Sequence, residues 1–247
     1  MDAIVCLGPH DEDMISYCIS SLYNYVEDIR NIYVISYRDI DISGAIVVPE
    51  SAFPFTKEDC GKATKEDRAG WYLQQLLKFY APLLIKDCSE IVLWVDADTV
   101  FHKRTKFRQG EKILMNKTFE VYAPYFEHMT RLHPSFVAWK KQTSGIVNCM
   151  PVLKGVLREL MTMVEDYHGN KPFWRVFLDC VSKGSSVGVG ASEYEIYYHY
   201  LMRMHKNKVV ERPLQFSNFG QRVELAKGRT GDWHYVSYHW HVQKRAV

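Results

Sequence analysis

Residues 91–95, Ile-Val-Leu-Trp-Val, form an unbroken apolar run that stops at Asp96-Ala97-Asp98. A run of that length and β-branched content reads as a buried strand, and the chain must turn where the carboxylates begin. The segments around it alternate in type. Ala3 to Leu7 is an apolar strand ended by Gly8-Pro9, and Asp11 to Tyr25 carries Met14, Ile15, Cys18, Ile19 and Leu22 at helical spacing. Strands are predicted at Asn31 to Ser36 and Ala45 to Val48, a loop at Ser51 to Asp67, and a helix at Arg68 to Tyr80. The second half is less regular. It is expected to hold short strands at Val121 to Ala123 and Gly145 to Asn148, and helices at Pro151 to Tyr167 and Ser192 to His205. A Gly/Ser/Val loop at Gly184 to Gly190 and a final strand at Tyr235 to His241 complete the reading. Strands alternating with helices imply an α/β fold with a mostly parallel central sheet flanked by helices. No internal repeat or linker divides the 247 residues, so a single domain is expected.

Bulk properties narrow the partners. A formal net charge of +2 with dispersed basic residues gives no footprint for nucleic acid. No apolar run is long enough to span a bilayer, and the N-terminus lacks a charged-then-apolar signal pattern. Six cysteines (Cys6, Cys18, Cys60, Cys88, Cys149, Cys180) have no CxxC spacing, and several sit in apolar segments. That usage points to a reducing, cytoplasmic setting. Asn116-Lys117-Thr118 matches a glycosylation sequon, which carries little weight without a secretory signal.

Ligands of open α/β sheets sit beyond the carboxyl ends of the strands. Gly8-Pro9, Ser36 and Asp96-Ala97-Asp98 all fall at such ends. Two carboxylates one residue apart suit a hard cation such as Mg²⁺ or Mn²⁺, which takes oxygen ligands from one or two carboxylates and from substrate phosphates. Alone, D-x-D is a weak motif that reads sooner as a turn cap beside a solvated acid. Its position after a buried strand and before Thr99-Val100-Phe101 favours the metal.

Val95-Asp96-Ala97-Asp98-Thr99 resembles the D-x-D segment of GT-A glycosyltransferases. Residues 70–78 (GWYLQQLLK), Ser144-Gly145-Ile146-Val147-Asn148 and Ser192-Glu193-Tyr194-Glu195 extend the resemblance, in order, over nearly the whole chain. The group they are similar to includes small glycosyltransferase domains encoded by large algal (chlorella) viruses; a virus-encoded member would work in host cytoplasm. The resemblance implies one GT-A (Rossmann-like) domain over residues 1–247. Residues 1–100 would be the nucleotide-sugar half and residues 101–247 a smaller acceptor-binding half. It also implies that Gly8 and Pro9 lie against the nucleoside, Ser36 near the base or ribose, and Ala97 with the donor between its two metal-binding neighbours. A His from near the C-terminus joins the metal carboxylates in many such enzymes; His239 is chosen over His241, both being on one side of the predicted strand.

The helix containing Trp71, Tyr72, Gln74, Gln75 and Lys78 has one polar side. Gln74 and Lys78, four apart, are neighbours suited to the donor, its phosphates or the metal carboxylates; solvation of that face is the plainer alternative. Arg68 is a further phosphate candidate, because a guanidinium matches phosphate geometry. Ser192-x-x-Glu195 reads as a capping box, with Glu195 reaching back to the Ser192 backbone. Glu193 then remains as the general base an inverting transferase needs, against the alternative of an acid placed to suit the helix dipole. Asn148 and Cys149 are ordinary strand residues or a border of the acceptor pocket.

These residues predict transfer of a sugar from a nucleotide-diphosphate donor, a UDP-sugar, to a glycan hydroxyl, with Mn²⁺ or Mg²⁺. A non-catalytic nucleotide-sugar or carbohydrate-binding module is the alternative from another class. A sugar nucleotidyltransferase needs a Gly-rich basic loop after the first strand, whereas residues 8–13 read Gly-Pro-His-Asp-Glu-Asp. No G-x-S-x-G, P-loop or G-x-G-x-x-G occurs, and no His/Cys cluster has zinc spacing.

Overall fold

The computed structural model describes residues 1–64, 68–182, 190–228 and 231–240. In chain order the strands and helices begin β1 (Asp2–Leu7), α1 (Ile15–Tyr25), β2 (Ile32–Ser36), β3 (Ile46–Pro49), α2 (Lys57–Ala63) and α3 (Ala69–Leu84). They continue through β4 (Ile91–Asp96), β5 (Thr99–Phe101), β6 (Arg108–Gln109), β7 (Lys112–Met115), α4 (Ala123–Leu132), β8 (Cys149–Leu153), α5 (Lys154–Tyr167) and α6 (Phe173–Asp179). The last are α7 (Glu193–Met204), β9 (Val209–Glu211), β10 (Phe216–Ser217), α8 (Arg222–Ala226) and β11 (Tyr235–Ser237).

The central sheet has the order β3-β2-β1-β4-β8, parallel except for β8. It is a mostly parallel sheet flanked by helices, as the apolar run at β4 requires. Trp94 and Val92 face one cluster with α3, α5, α6 and α7, while Leu93 and Val95 face another with α1. Trp94 is fully buried, edge-on to Phe79 and Tyr197. Two small sheets, β10-β11-β5 and β6-β7-β9, carry the chain from the end of β4 back to its C-terminal segment. At the opposite end of the central sheet, buried Asp2 accepts from Arg30 Nε and Nη2 (2.9 and 2.6 Å) and from the Ser89 backbone (2.8 Å). Burial raises its carboxyl, but those bonds outweigh it and hold the group below the usual range.

Several elements differ from the sequence reading. The 51–67 segment contains α2, whose Thr56 and Asp59 form a reciprocal capping box. Only Cys60 is buried in it, so it lacks the apolar period that reveals a helix. Residues 121–123 and 145–148 are not strands: α4 starts at Ala123, and the strand begins at Cys149. Pro151 lies in β8 rather than at a helix start, opposite Leu93 on the sheet's edge, the position where a strand tolerates proline. Leu153 N, two residues on and likewise facing away from β4, donates to the Tyr197 hydroxyl (2.8 Å). The last strand ends at Ser237, so alternation does not govern His239, and His241 lies outside the described residues, as do residues 184–189 of the Gly/Ser/Val loop. All six cysteines are buried and free, and no helix among the described residues is long and apolar enough to cross a membrane.

Candidate active site

β4 delivers Asp96 to the carboxyl edge of the sheet, and the chain turns through Ala97 and Asp98 into β5. Because β5 pairs antiparallel with β11, Tyr238 N donates to Asp98 O (2.9 Å) and the Thr99 and Ser237 hydroxyls meet at 2.8 Å. That pairing draws His239 Nδ1 to 2.7 Å from Asp98 Oδ2. The other oxygen, Asp98 Oδ1, is buried and receives no hydrogen bond from the described residues. Burial lowers the His239 pKa, but the Asp98 hydrogen bond and the charges of Asp98, Asp96 and Asp11 outweigh it, and the net shift is upward.

Asp96 is held from the other face of the sheet. Lys78, 1% exposed on α3, places Nζ 2.5 Å from Asp96 Oδ1, 2.6 Å from Glu193 Oε1 and 3.1 Å from the Tyr194 hydroxyl. Tyr194 in turn donates to Asp96 Oδ1 (3.0 Å), and Asn148 Nδ2 approaches Asp96 Oδ2 at 3.3 Å. Burial disfavours the Lys78 ammonium, but the two carboxylates beside it raise its pKa. Burial raises the Glu193 carboxyl, an effect that Lys78 only partly offsets. α7 is oriented for this contact by Gln75, which accepts from Glu193 N (3.1 Å) and donates to Ala191 O (3.2 Å).

Ser192 caps α7 by accepting from Glu195 N (3.3 Å), but Glu195 does not return the bond. Its fully buried carboxylate takes the Ser144 hydroxyl (2.7 Å) and Gly145 N (2.9 Å), with His199 Nε2 at 3.1 Å. The expected capping box is thus half formed, because a stronger pair of donors competes for the acid. At Gly145 a β-carbon would stand 2.3 Å from Tyr198 Cβ and 2.6 Å from Tyr194 O, so only glycine lets the 144–148 segment lie this close to α7. The same segment carries Asn148 to Asp96.

The rim is built from residues 8–13 and the C-terminal segment. Arg222 donates to Asp11 Oδ1 (2.8 Å), to His10 O (2.9 Å) and to Tyr238 O (3.2 Å), and the His10 and Trp240 rings stack at 4.2 Å. Burial, reinforced by the Asp98 charge, raises the Asp11 carboxyl to about 6.

The predicted site residues divide accordingly. Asp96, Asp98, His239, Lys78 and Glu193 come together, with Ala97 between the two aspartates. Gly8 and Pro9 turn at the end of β1, where a side chain at 8 would touch nothing. Ser36 ends β2, buried between Leu7 and Pro49 of the neighbouring strands, with its hydroxyl donating to Arg38 O (2.8 Å). Arg68 and Gln74 are half-buried at the start of α3. Tyr194 and Asp11 were missed: a tyrosine inside a helix and an acid in a turn carry no spacing signal.

No three His, Cys, Asp or Glu side chains among the described residues form a preassembled metal cage. The donor set nevertheless fits a hard divalent cation. Among the described residues Asp98 Oδ1 is a buried oxygen with no donor, Asp96 Oδ2 has a single long amide contact, and an imidazole lies alongside.

Residues 11–223 match the model of a family described as a family of unknown function, DUF6492. No curated protein sequence matches the chain. Among solved structures, the chain is similar to the apo crystal structure of mouse xyloside xylosyltransferase 1, at 10% sequence identity and a TM-score of 0.51. The superposition covers 96% of this chain and 97% of that one. The chain therefore shares the fold of that structure.

Proposed function

For this chain, which belongs to the family of unknown function DUF6492, we propose metal-dependent transfer of a sugar from a nucleotide-diphosphate donor, a UDP-sugar, to a hydroxyl of a glycan acceptor. The observation that carries the reading is Asp98, with its buried unpartnered Oδ1 and with His239 2.7 Å from Oδ2, at the carboxyl edge of a parallel sheet. The likeness in fold to a xylosyltransferase supports it.

In this reading Asp98, Asp96 and His239 hold Mn²⁺ or Mg²⁺, which when bound neutralises charge on the diphosphate leaving group. Lys78 and Tyr194 fix Asp96 through Oδ1 and turn Oδ2 outward. Gly8, Pro9 and Ser36 line the nucleoside through their backbone, Ala97 lies against the donor, and Arg68 and Gln74 reach its polar groups. Residues 1–100 form the donor half and residues 101–247 the acceptor half of one domain.

Glu193 is the base. Lys78 occupies Oε1, so Oε2 is the oxygen that takes the acceptor hydroxyl proton. As that proton leaves, the acceptor oxygen bonds the anomeric carbon and the bond from that carbon to the diphosphate breaks, with inversion. Burial raises the Glu193 carboxyl, which strengthens it as a proton acceptor. Buried free thiols fit a reducing cytoplasmic setting.

The test is calorimetric titration with UDP and with GDP, with and without Mn²⁺, on wild type and Asp98→Ala. Mn²⁺-dependent binding of UDP that disappears in the variant is expected. Binding of neither nucleotide under any condition overturns the reading.

A further inference from the structure

Arg212 follows β9, with its guanidinium 5.5 Å from the Phe107 ring centre. Its Nε and Nη2 are shielded from solvent, and no acceptor among the described residues reaches either. These two nitrogens form one edge of the guanidinium, the edge that Arg30 sets against both oxygens of Asp2. At Arg212 the same fork points into the protein and meets no carboxylate.

Two further donors sit beside it. β7 and β9 pair in parallel through Met115↔Glu211, and Arg212 N continues the ladder to Met115 O (2.9 Å), so Asn116 and Arg212 occupy the next rung. Asn116 Oδ1 is taken by Leu214 N (3.1 Å), which leaves its buried Nδ2 without an acceptor. The fully buried Tyr235 hydroxyl makes no hydrogen bond of normal geometry among the described residues. Weak hydrogen-bonding contacts with the Asn116 amide and the Cys149 thiol act on its titration and place it in the same cluster. Burial lowers the Arg212 pKa; among the described residues only Cys149 and Tyr235 oppose that, and no acid is beside the charge.

A half-buried guanidinium whose Nε and Nη2 reach neither water nor an acceptor is costly, and buried donors of poor hydrogen-bond geometry add to the cost. Water is a poor answer to this set. Guanidinium and amide N–H groups only donate, so a water accepting from them would have few acceptors for its own hydrogens. An anion with two oxygens meets the fork bidentately and takes the amide and hydroxyl as well. We propose that Arg212, Asn116 and Tyr235 form a binding site for a small oxyanion group, a carboxylate or a phosphate. It lies on the sheet face of Val95 and Cys149, opposite the face that packs Lys78.

The test is thermal unfolding of the full chain in EDTA, in sodium phosphate, acetate or chloride at matched pH and ionic strength. A saturable rise on the order of 5 °C over chloride is expected with one of the oxyanions, which also identifies phosphate or carboxylate as the class. Arg212→Met should remove the rise and Asp98→Asn should keep it, separating this site from the metal site. No rise in wild type beyond chloride, or an undiminished rise in Arg212→Met, overturns the proposal. If Arg212→Met does not fold, crystals of wild type grown with arsenate or cacodylate decide. Anomalous arsenic density within hydrogen-bond reach of Nε and Nη2 supports the site, and water-sized density alone overturns it.

Discussion

Lys78 Nζ stands between two carboxylates of different elements, 2.6 Å from Glu193 on α7 and 2.5 Å from Asp96 on β4. A single buried ammonium thus joins α7 to the carboxyl end of β4. Lys78→Met leaves two acids facing each other in a buried setting and should cost about 3–5 kcal/mol. The double variant Lys78→Met/Glu193→Gln removes one of those charges and should recover part of the loss. Urea unfolding of the wild type, both single variants and the double variant measures the coupling; simple additivity would contradict it.

Glu193→Ala should lower transfer by about 10²–10⁴-fold while donor binding is retained, because the base acts on the acceptor. Transfer rates and calorimetry on the same preparation check both halves. Unchanged turnover removes Glu193 from the mechanism.

Gly145→Ala forces a methyl against Tyr198 Cβ and Tyr194 O. Both neighbours belong to α7, so the segment must move away from the helix and take Asn148 with it. A loss of about 1–3 kcal/mol is expected, read as a lower urea midpoint. A variant with the wild-type midpoint would show that the 144–148 segment gives way freely.

His128 predicts a pH dependence. Its ring is fully buried, Nε2 donates to Phe177 O (2.8 Å), and burial lowers its pKa to about 4. Between pH 6.5 and 4 the unfolded chain binds a proton that the folded chain refuses, so stability falls as pH falls through that window. The full loss is on the order of 3 kcal/mol below pH 4. The difference in stability between wild type and His128→Gln, followed from pH 7 to pH 4, should shrink accordingly. A constant difference would sink the assignment.

The sequence marked the first half of the fold well, because buried parallel strands leave long apolar runs and each is followed by a turn. The place of Asp96 and Asp98 at the end of β4 was legible for the same reason. What escaped notice depended on partners distant in the chain. Lys78 showed as a polar helix position, but its burial between Asp96 and Glu193 is a tertiary fact. Glu195 looked like a local cap, and only the approach of Ser144 and Gly145 turns it elsewhere. Pro151 read as a helix start because β8, an antiparallel edge strand, accommodates proline as readily as a first turn does. His239 was reached by resemblance, not by the strand alternation first offered for it, since β11 stops at Ser237.

The β8 edge has a consequence for how copies of the chain behave together. An exposed strand recruits another by presenting a row of free backbone donors. Here position 151 has none, because proline has no N–H, and position 153, facing the same way, has spent its own on Tyr197. An incoming strand finds two successive rungs silent. The central sheet is therefore closed to growth on that side, and crowded or concentrated solutions of the protein should not assemble into fibrils through it.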